Sequence, residues 1–404
     1  MKVREKMKSI IMAEYNDARY DARVLKSAGS LSSNGYRLQL LMYNSSIKTL
    51  KKSIKNNVDI TEYPYHRHNR KSSIIEKVLR IIQGLGIIIK INFYIISNKA
   101  DIYHLHNLKF LLSGIIAKKL YSACLVYDAH ELHSAKRSHN YLSNRIIDYL
   151  NYVYEKSILN SIDIFIQASY ERAEYVKKRF KYKKEVVVIE NFVVKQNIDE
   201  NKYYLHDTLG MSRKKKIILY VGGIRLNTQR RFERVISILH KLDSNVHFAL
   251  IGRADSHDAK ELSKYVSKCN MGNRVHLLAP VPNEDLINVM NKAIMSIIPI
   301  DDMNTLNYKY SAFNKLSETC MAQLPVAASD YPNMKKIILD NPIGPIGEVF
   351  NINNDYSLIS AINRLIDPRI NSKCRANAKK LRNRMNWEYE EKKLITAYDN
   401  MLID

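Results

Sequence analysis

Cysteine is scarce in this sequence: four in 404 residues, at Cys124, Cys269, Cys320 and Cys374. They lie far apart and lack the spacing of a thiolate metal site. No disulfide framework is expected, and a reducing compartment is. Acidic residues are short as well, 40 against 64 Lys and Arg, leaving a formal net charge of +24. No nucleic-acid recognition motif accompanies that charge, so nucleic acid is not expected as a partner. Basic clusters at 177–184 and 213–216, and the basic stretch 66–99, instead suit phosphorylated substrates or an anionic membrane surface, beside a general enrichment in lysine. Long apolar runs are also missing. The best candidate, Ile81 to Ile96, is interrupted by Gln83, Lys90 and Asn92 and falls short of the roughly 20 residues a span requires. A buried or interfacial helix is expected there, with peripheral membrane contact as its functional counterpart. The early run Ile10-Ile-Met-Ala13 suits a strand rather than a signal peptide.

What is present describes a folded chain, 46% hydrophobic and 26% charged, long enough for two domains. Short apolar runs alternate with amphipathic stretches. In the first half the expected strands are Ile10–Ala13, Leu38–Tyr43, Val58–Thr61, Ile102–His106, Leu125–Asp128, Ile164–Gln167 and Val186–Ile189. A polar, charged stretch from Lys195 to Lys216 reads as a linker, after which Ile217–Val221, Val246–Ile251, Val275–Leu278, Ser296–Pro299, Pro325–Ala328 and Gly347–Phe350 form a second series. Alternation of this kind predicts α/β architecture, with helices on both faces of parallel sheets. The expected organisation is an N-terminal domain (1–194), the linker (195–216), a second domain (217–380) and a C-terminal helix (381–404) that packs back toward the first. One long helical pattern covers Lys373 to Leu402.

The segment from Phe313 through Asn314, Lys315 and Glu318 to Pro325-Val-Ala-Ala reads as a helix running into a buried strand. A helix N-terminus offers free N–H groups and partial positive charge to a phosphate. Glu318, one turn on, suits ribose hydroxyls. Upstream, Tyr220-Val-Gly222-Gly223 is a strand opening into paired glycines, which admits a ligand close to the backbone, and Arg225 and Arg230 follow with charge for a diphosphate. In the first half, Asp101-Ile-Tyr-His104-Leu-His106 and Tyr127-Asp128-Ala-His130-Glu131-Leu-His133 bring histidines near strand ends. No His-x-x-x-His pair with an interposed base occurs. His104 and His106 share a strand face but show no clear third ligand, so no metal site is expected. His130, just after a strand, is kept as the functional histidine. Asp301-Asp302 reads as a solvated turn rather than a metal site.

Taken in order, these motifs resemble the group 1 (family 4) retaining glycosyltransferases of GT-B fold. Asp21-Ala-Arg23-Val24, Asp101 to His106, Val126 to Leu132, Ile189-Glu-Asn191, Tyr220 to Gly223, Val275 to Asn283, Asn307 to Glu318 and Trp387-Glu388 carry the likeness along nearly the whole chain. The resemblance implies two Rossmann-like domains facing across a cleft, and transfer of a sugar from a nucleotide-diphosphate sugar to an acceptor hydroxyl with retention and without metal or cofactor. It implies His130, Arg230 and Lys315 as catalytic residues, with Gly222, Gly223, Arg225, Val281, Phe313, Asn314 and Glu318 binding the donor. The acceptor, a saccharide or lipid-linked saccharide, would enter through the first domain. A cytoplasmic enzyme at the inner face of the cell membrane, building bacterial surface polysaccharide, is the expected setting. Three positions depart from the family pattern: Tyr310 stands where an acidic residue is usual, Gly223 where a basic residue is frequent, and Gln323-Leu324 where a glycine precedes the strand. A sugar-nucleotide 2-epimerase would turn over donor without acceptor, and a non-catalytic partner subunit would bind donor without turnover.

Overall fold

A computed structural model describes residues 7–17, 21–65, 74–135, 142–199, 201, 204–226, 228–301, 306–310 and 314–403. The chain forms two compact units: residues 1–190 with 390–404, and residues 191–389.

The first unit is built on an eight-stranded sheet. Its strands are β1 (Ser9–Asp17), β2 (Arg37–Asn44), β3 (Lys51–Lys55), β4 (Val58–Pro64), β5 (Ile102–Leu105), β6 (Cys124–Ala129), β7 (Ile164–Gln167) and β8 (Val186–Val188), in the order β3-β4-β2-β1-β5-β6-β7-β8. All neighbours are parallel except β3 and β4. The central strands are covered on both faces, which is why β5 and β7 are buried at every residue. Strand β3 was not expected from the sequence, because Lys51-Lys-Ser-Ile-Lys55 is nearly all polar. It forms through a two-residue turn, Asn56-Asn57, whose positive φ angles of 50° and 60° suit a tight hairpin. Its lysines blunt a sheet edge. The direction of chain travel reverses between β1 and β5, so a crevice is expected at their carboxyl ends.

The second unit holds a six-stranded, wholly parallel sheet: β9 (Lys216–Val221), β10 (Val246–Ile251), β11 (Val275–Leu278), β12 (Met295–Ile298), β13 (Val326–Ser329) and β14 (Gly347–Phe350), ordered β11-β10-β9-β12-β13-β14. This is the doubly wound dinucleotide-binding order, with its switch point between β9 and β12. Apolar clusters flank the sheet, one around Phe232, Phe248 and Phe350, another around Leu286, Met290 and Met321. The stretch 195–216 lies in this unit and holds a short helix, Tyr204–Thr208, whose Leu205 is fully buried.

Two helical expectations change. The apolar stretch lies within a 24-residue helix, Ile74–Ser97, long and apolar enough to cross a membrane by length and composition, with 22% of its most apolar window buried. It is not a core helix. The single helix expected over Lys373–Leu402 is two, Pro368–Leu381 and Trp387–Ile403. The break has a cause: the Asn386 side chain accepts from the Tyr389 N–H as a new N-cap, and Trp387 donates its N–H to the Val193 carbonyl rather than continuing the first helix.

Candidate functional site

In the second unit the predicted residues gather on Tyr220, the penultimate residue of β9. Its ring is buried, and Arg230 donates Nε–H to its hydroxyl at 3.0 Å. The Lys315 ammonium lies 5.3 Å from the ring centroid. Two cations therefore flank one phenol, and their repulsion is eased by its oxygen and π-face. Gly222 follows at a φ of 132°, a conformation that L side chains rarely adopt, and a Cβ there would push Lys315 Nζ from its place over the chain. A Cβ on Gly252, at the end of β10, would strike the Gly222 carbonyl; the two turns pack backbone to backbone. Arg230 is fixed further by an antiparallel bridge to Ile300, just beyond β12. Gly222, Gly223, Arg230 and Lys315 thus meet at the switch point, where a doubly wound sheet receives its ligand.

The remaining predicted donor residues divide. Asn314 opens the helix Asn314–Met321 and is exposed, its carbonyl accepting from the Ser317 hydroxyl at 2.9 Å, and Glu318 stands one turn on, half-buried. Arg225 is exposed in the loop after Gly223. Val281 packs against the apolar cluster beneath β9 and β10. Phe313 and Asp302 lie outside the described residues. Asp301 is no free acidic turn: it binds Arg231 Nη1 at 2.8 Å.

In the first unit the ionic hub is Asp128, buried in β6. Arg23 grips it with two bonds, Nε at 3.1 Å and Nη2 at 2.6 Å, and gives its third to the Ile189 carbonyl at 2.7 Å. Three histidines surround the same carboxylate: His106 Nδ1 at 3.2 Å, His130 Nε2 at 3.6 Å and His104 Nε2 at 3.8 Å. As their spacing requires, His104 and His106 share a face and stack at 4.4 Å. Burial would raise the carboxyl pKa of Asp128, but Arg23 and the histidines outweigh it and hold the group well below the usual range. Burial lowers the pKa of both His104 and His106, the second more strongly. His130 differs: burial opposes its charge, yet Asp128 and Glu14 raise its pKa.

His130 is also the histidine that opens outward. With Glu14, Tyr15, Asn107 and Lys109 it lines a cavity of about 650 Å³ at the β1–β5 switch point. Glu14, in β1, is 4% exposed, accepts from Asn107 Nδ2 at 3.4 Å and stands 3.9 Å from His130 Nδ1. Burial lifts its pKa to about 7 against the pull of His130. The sequence pattern predicts the first strand only over Ile10–Ala13, whereas it runs Ser9–Asp17 and includes Glu14, which is not among the predicted site residues. Its signal was an acidic residue at the carboxyl end of a strand beside the reversal. Tyr220 was missed as well, since it reads as an ordinary strand tyrosine.

The sequence shows no clear third metal ligand, whereas among the described residues the fold supplies two candidates: Glu14 with His106 and His130, and Asp128 with His104 and His106, each set with ligand atoms within 4.8 Å of one another. In the second set both Asp128 oxygens are already held by Arg23. That set is better described as a closed charge network than as a cation site.

Residues 205–382 match the family described as glycosyl transferases group 1, and residues 24–196 match glycosyltransferase family 4. No curated protein matches the chain. Among solved structures, a sucrose-phosphate synthase from Thermosynechococcus elongatus is similar over 98% of this chain and 99% of its own, with a TM-score of 0.75 and 14% identity. HepE of Anabaena in complex with UDP-glucose is similar over 97% of this chain and all of its own, with a TM-score of 0.68 and 14% identity. A glycosyltransferase from Rickettsia africae gives a TM-score of 0.68 at 16% identity over 98% of both chains. Likeness at such identities shows the fold and leaves the chemistry to the residues.

Proposed function

We propose that this chain, which belongs to the group 1 glycosyltransferases and has the GT-B fold, moves a sugar from a nucleotide-diphosphate sugar to an acceptor hydroxyl with retention of configuration. The observation that carries the reading is the pairing of Arg230 and Lys315 on Tyr220 beside Gly222. A nucleotide diphosphate leaves as an anion. Fixed cations beside an open backbone stabilise that charge as it develops, with no metal required. The guanidinium suits two phosphate oxygens and the ammonium serves as a point charge. Glu318, a turn into the next helix, takes the ribose hydroxyls. HepE was solved with UDP-glucose, which supports a donor of this class.

We assign the acceptor to the first-unit cavity around His130 and Glu14. Its wall of carboxyl, imidazole, amide and phenol groups suits the hydroxyls of a saccharide. Assembly of a surface polysaccharide in the cytoplasm, on a saccharide or lipid-linked saccharide acceptor, fits the strong positive charge of the chain.

Two substitutions test the donor half. Glu318→Ala is expected to weaken nucleotide-sugar affinity about 10- to 100-fold by calorimetry, as loss of charge-assisted hydrogen bonds would do. Arg230→Ala is expected to lower kcat about 100-fold, the scale of one lost transition-state donor, with a smaller change in donor affinity. Unchanged affinity in the first variant removes Glu318 from the site, and a wild-type rate in the second removes Arg230.

A further inference from the structure

We infer that one face of the first unit, made by three neighbouring helices, docks on an anionic lipid bilayer. The connections β4 to β5, β5 to β6 and β6 to β7 all step the same way along the sheet. Right-handed crossovers then set their helices, Ile74–Ser97, Leu111–Tyr121 and Leu142–Ile158, on one face. Side chains stitch them together: Tyr121 donates to the Ile96 carbonyl at 2.9 Å, and Tyr154 hydrogen-bonds the backbone of Leu112.

Each helix turns apolar side chains outward. Ile89 is 66% and Phe93 70% exposed on the first, Leu112 and Leu120 are exposed on the second, and Ile146 and Leu150 on the third. Scattered apolar residues are normal on a protein surface, but here they recur on three neighbouring helices of one face. The charge pattern selects the occupant. Lys90, Lys119, Arg145 and Lys156 are exposed on the same helices. Among the described residues their acidic members are Glu76, Asp148 and Glu155, and the last two are 3% exposed. An apolar face rimmed by cations, with two of its three carboxylates turned inward, complements anionic headgroups over hydrocarbon.

The same geometry argues for lying on the bilayer rather than crossing it. Gly84, Ile87, Ile91 and Ile95 form a buried stripe on the first helix. Polar side chains tie that helix to the sheet, Tyr94 to Gln39 at 2.6 Å and Gln83 to the Pro64 carbonyl at 3.3 Å. The helix is therefore a fixed part of the unit with its outer stripe free. Docking itself is independent of the proposed reaction. That the third helix also supplies Asn151 and Tyr154 to the His130 cavity, and so brings a bilayer-anchored acceptor to it, rests on that reaction.

Flotation of the full chain with vesicles tests the docking face. Recruitment is expected to be at least about fivefold greater with vesicles half phosphatidylglycerol than with phosphatidylcholine alone, and to fall as salt rises. Ile89→Ser with Phe93→Ser, and separately Lys90→Glu with Lys119→Glu, should each reduce recruitment at least about fivefold while circular dichroism melting stays at the wild-type temperature. Absence of recruitment to the anionic vesicles, or recruitment that both double variants retain, overturns the inference. So does attachment that survives alkaline carbonate, which marks a span, or self-association that the serine variant abolishes without vesicles, which marks a second copy. Nucleotide-sugar binding in solution, measured in parallel, reports on the proposed reaction alone.

Discussion

Asp128 and Glu14 are both buried carboxyls near His130, and their pKa values are shifted in opposite directions. Asp128 is held ionised by Arg23 and three histidines, whereas Glu14 has one distant imidazole and an amide, too little to offset burial. A raised carboxyl pKa means that the folded state binds a proton more tightly than the unfolded one. The stability it costs is absent below the unfolded value of 4.5, grows as pH rises, and is complete above the folded value of about 7. Glu14→Gln should therefore flatten the pH dependence of stability. Comparing urea midpoints at pH 5 and pH 8, wild type is expected to lose on the order of 3 kcal/mol more than the variant from this group. Equal losses would show that Glu14 is charged throughout. The residues legible in sequence, Gly222, Arg230, Lys315 and His130, sit in motifs whose chemistry is local. Glu14 and Tyr220 were not legible, because their roles arise from which strands lie side by side.

At the scale of elements, the helix Asn314–Met321 ends without the glycine expected of its family. Gln323 takes the left-handed conformation instead, φ 55°, while its N–H bonds to the Cys320 carbonyl and the Leu324 N–H to that of Thr319. This is the hydrogen-bond pattern of a glycine cap made with a residue that strains to hold it. The Gln323 carbonyl is itself held by Arg375 Nη1 at 3.3 Å, and burial lowers the pKa of that guanidinium to about 10. Gln323→Gly should raise stability by about 1 kcal/mol, read as a shift in the urea midpoint, because the cap then loses its strain. A destabilised variant would mean that the glutamine side chain does more than cap. The central parallel strands were readable as apolar runs because both their faces are covered. Strand β3 was not, since a polar edge strand is defined by its partner and its turn. The long final helix was over-read for a related reason: Asn386 stops it through a cap that helical periodicity does not register.

At the scale of the whole chain, the two-domain α/β reading held because alternation of strands and helices leaves few ways to bury both sheet faces. The family likeness then rested on the order of motifs more than on any one of them. Near the C-terminus, Tyr398 is fully buried in the first unit, bonded to His104 Nδ1 at 2.6 Å and edge-on to Tyr36. Tyr398→Phe keeps the packing and removes one buried bond. It is expected to destabilise the first unit by about 1 kcal/mol, seen as earlier urea unfolding, while nucleotide-sugar affinity in the second unit stays unchanged. An unaltered midpoint would mean that His104 finds another partner.

The chain enters the second unit at Asn191 and leaves it at Tyr389. The two crossings lie side by side, with Trp387 bonded to Val193 at 2.8 Å and the Glu388 carboxylate accepting from the Lys195 N–H at 3.1 Å. The second unit is thus an insertion in the chain of the first, with its own two ends held together in one seam. A cassette with adjoining ends can be exchanged as one piece: a graft that keeps the seam residues leaves the host sheet uncut and carries its own switch-point cluster with it. On the proposed assignment of donor and acceptor, such chimeras would change the donor while keeping the acceptor.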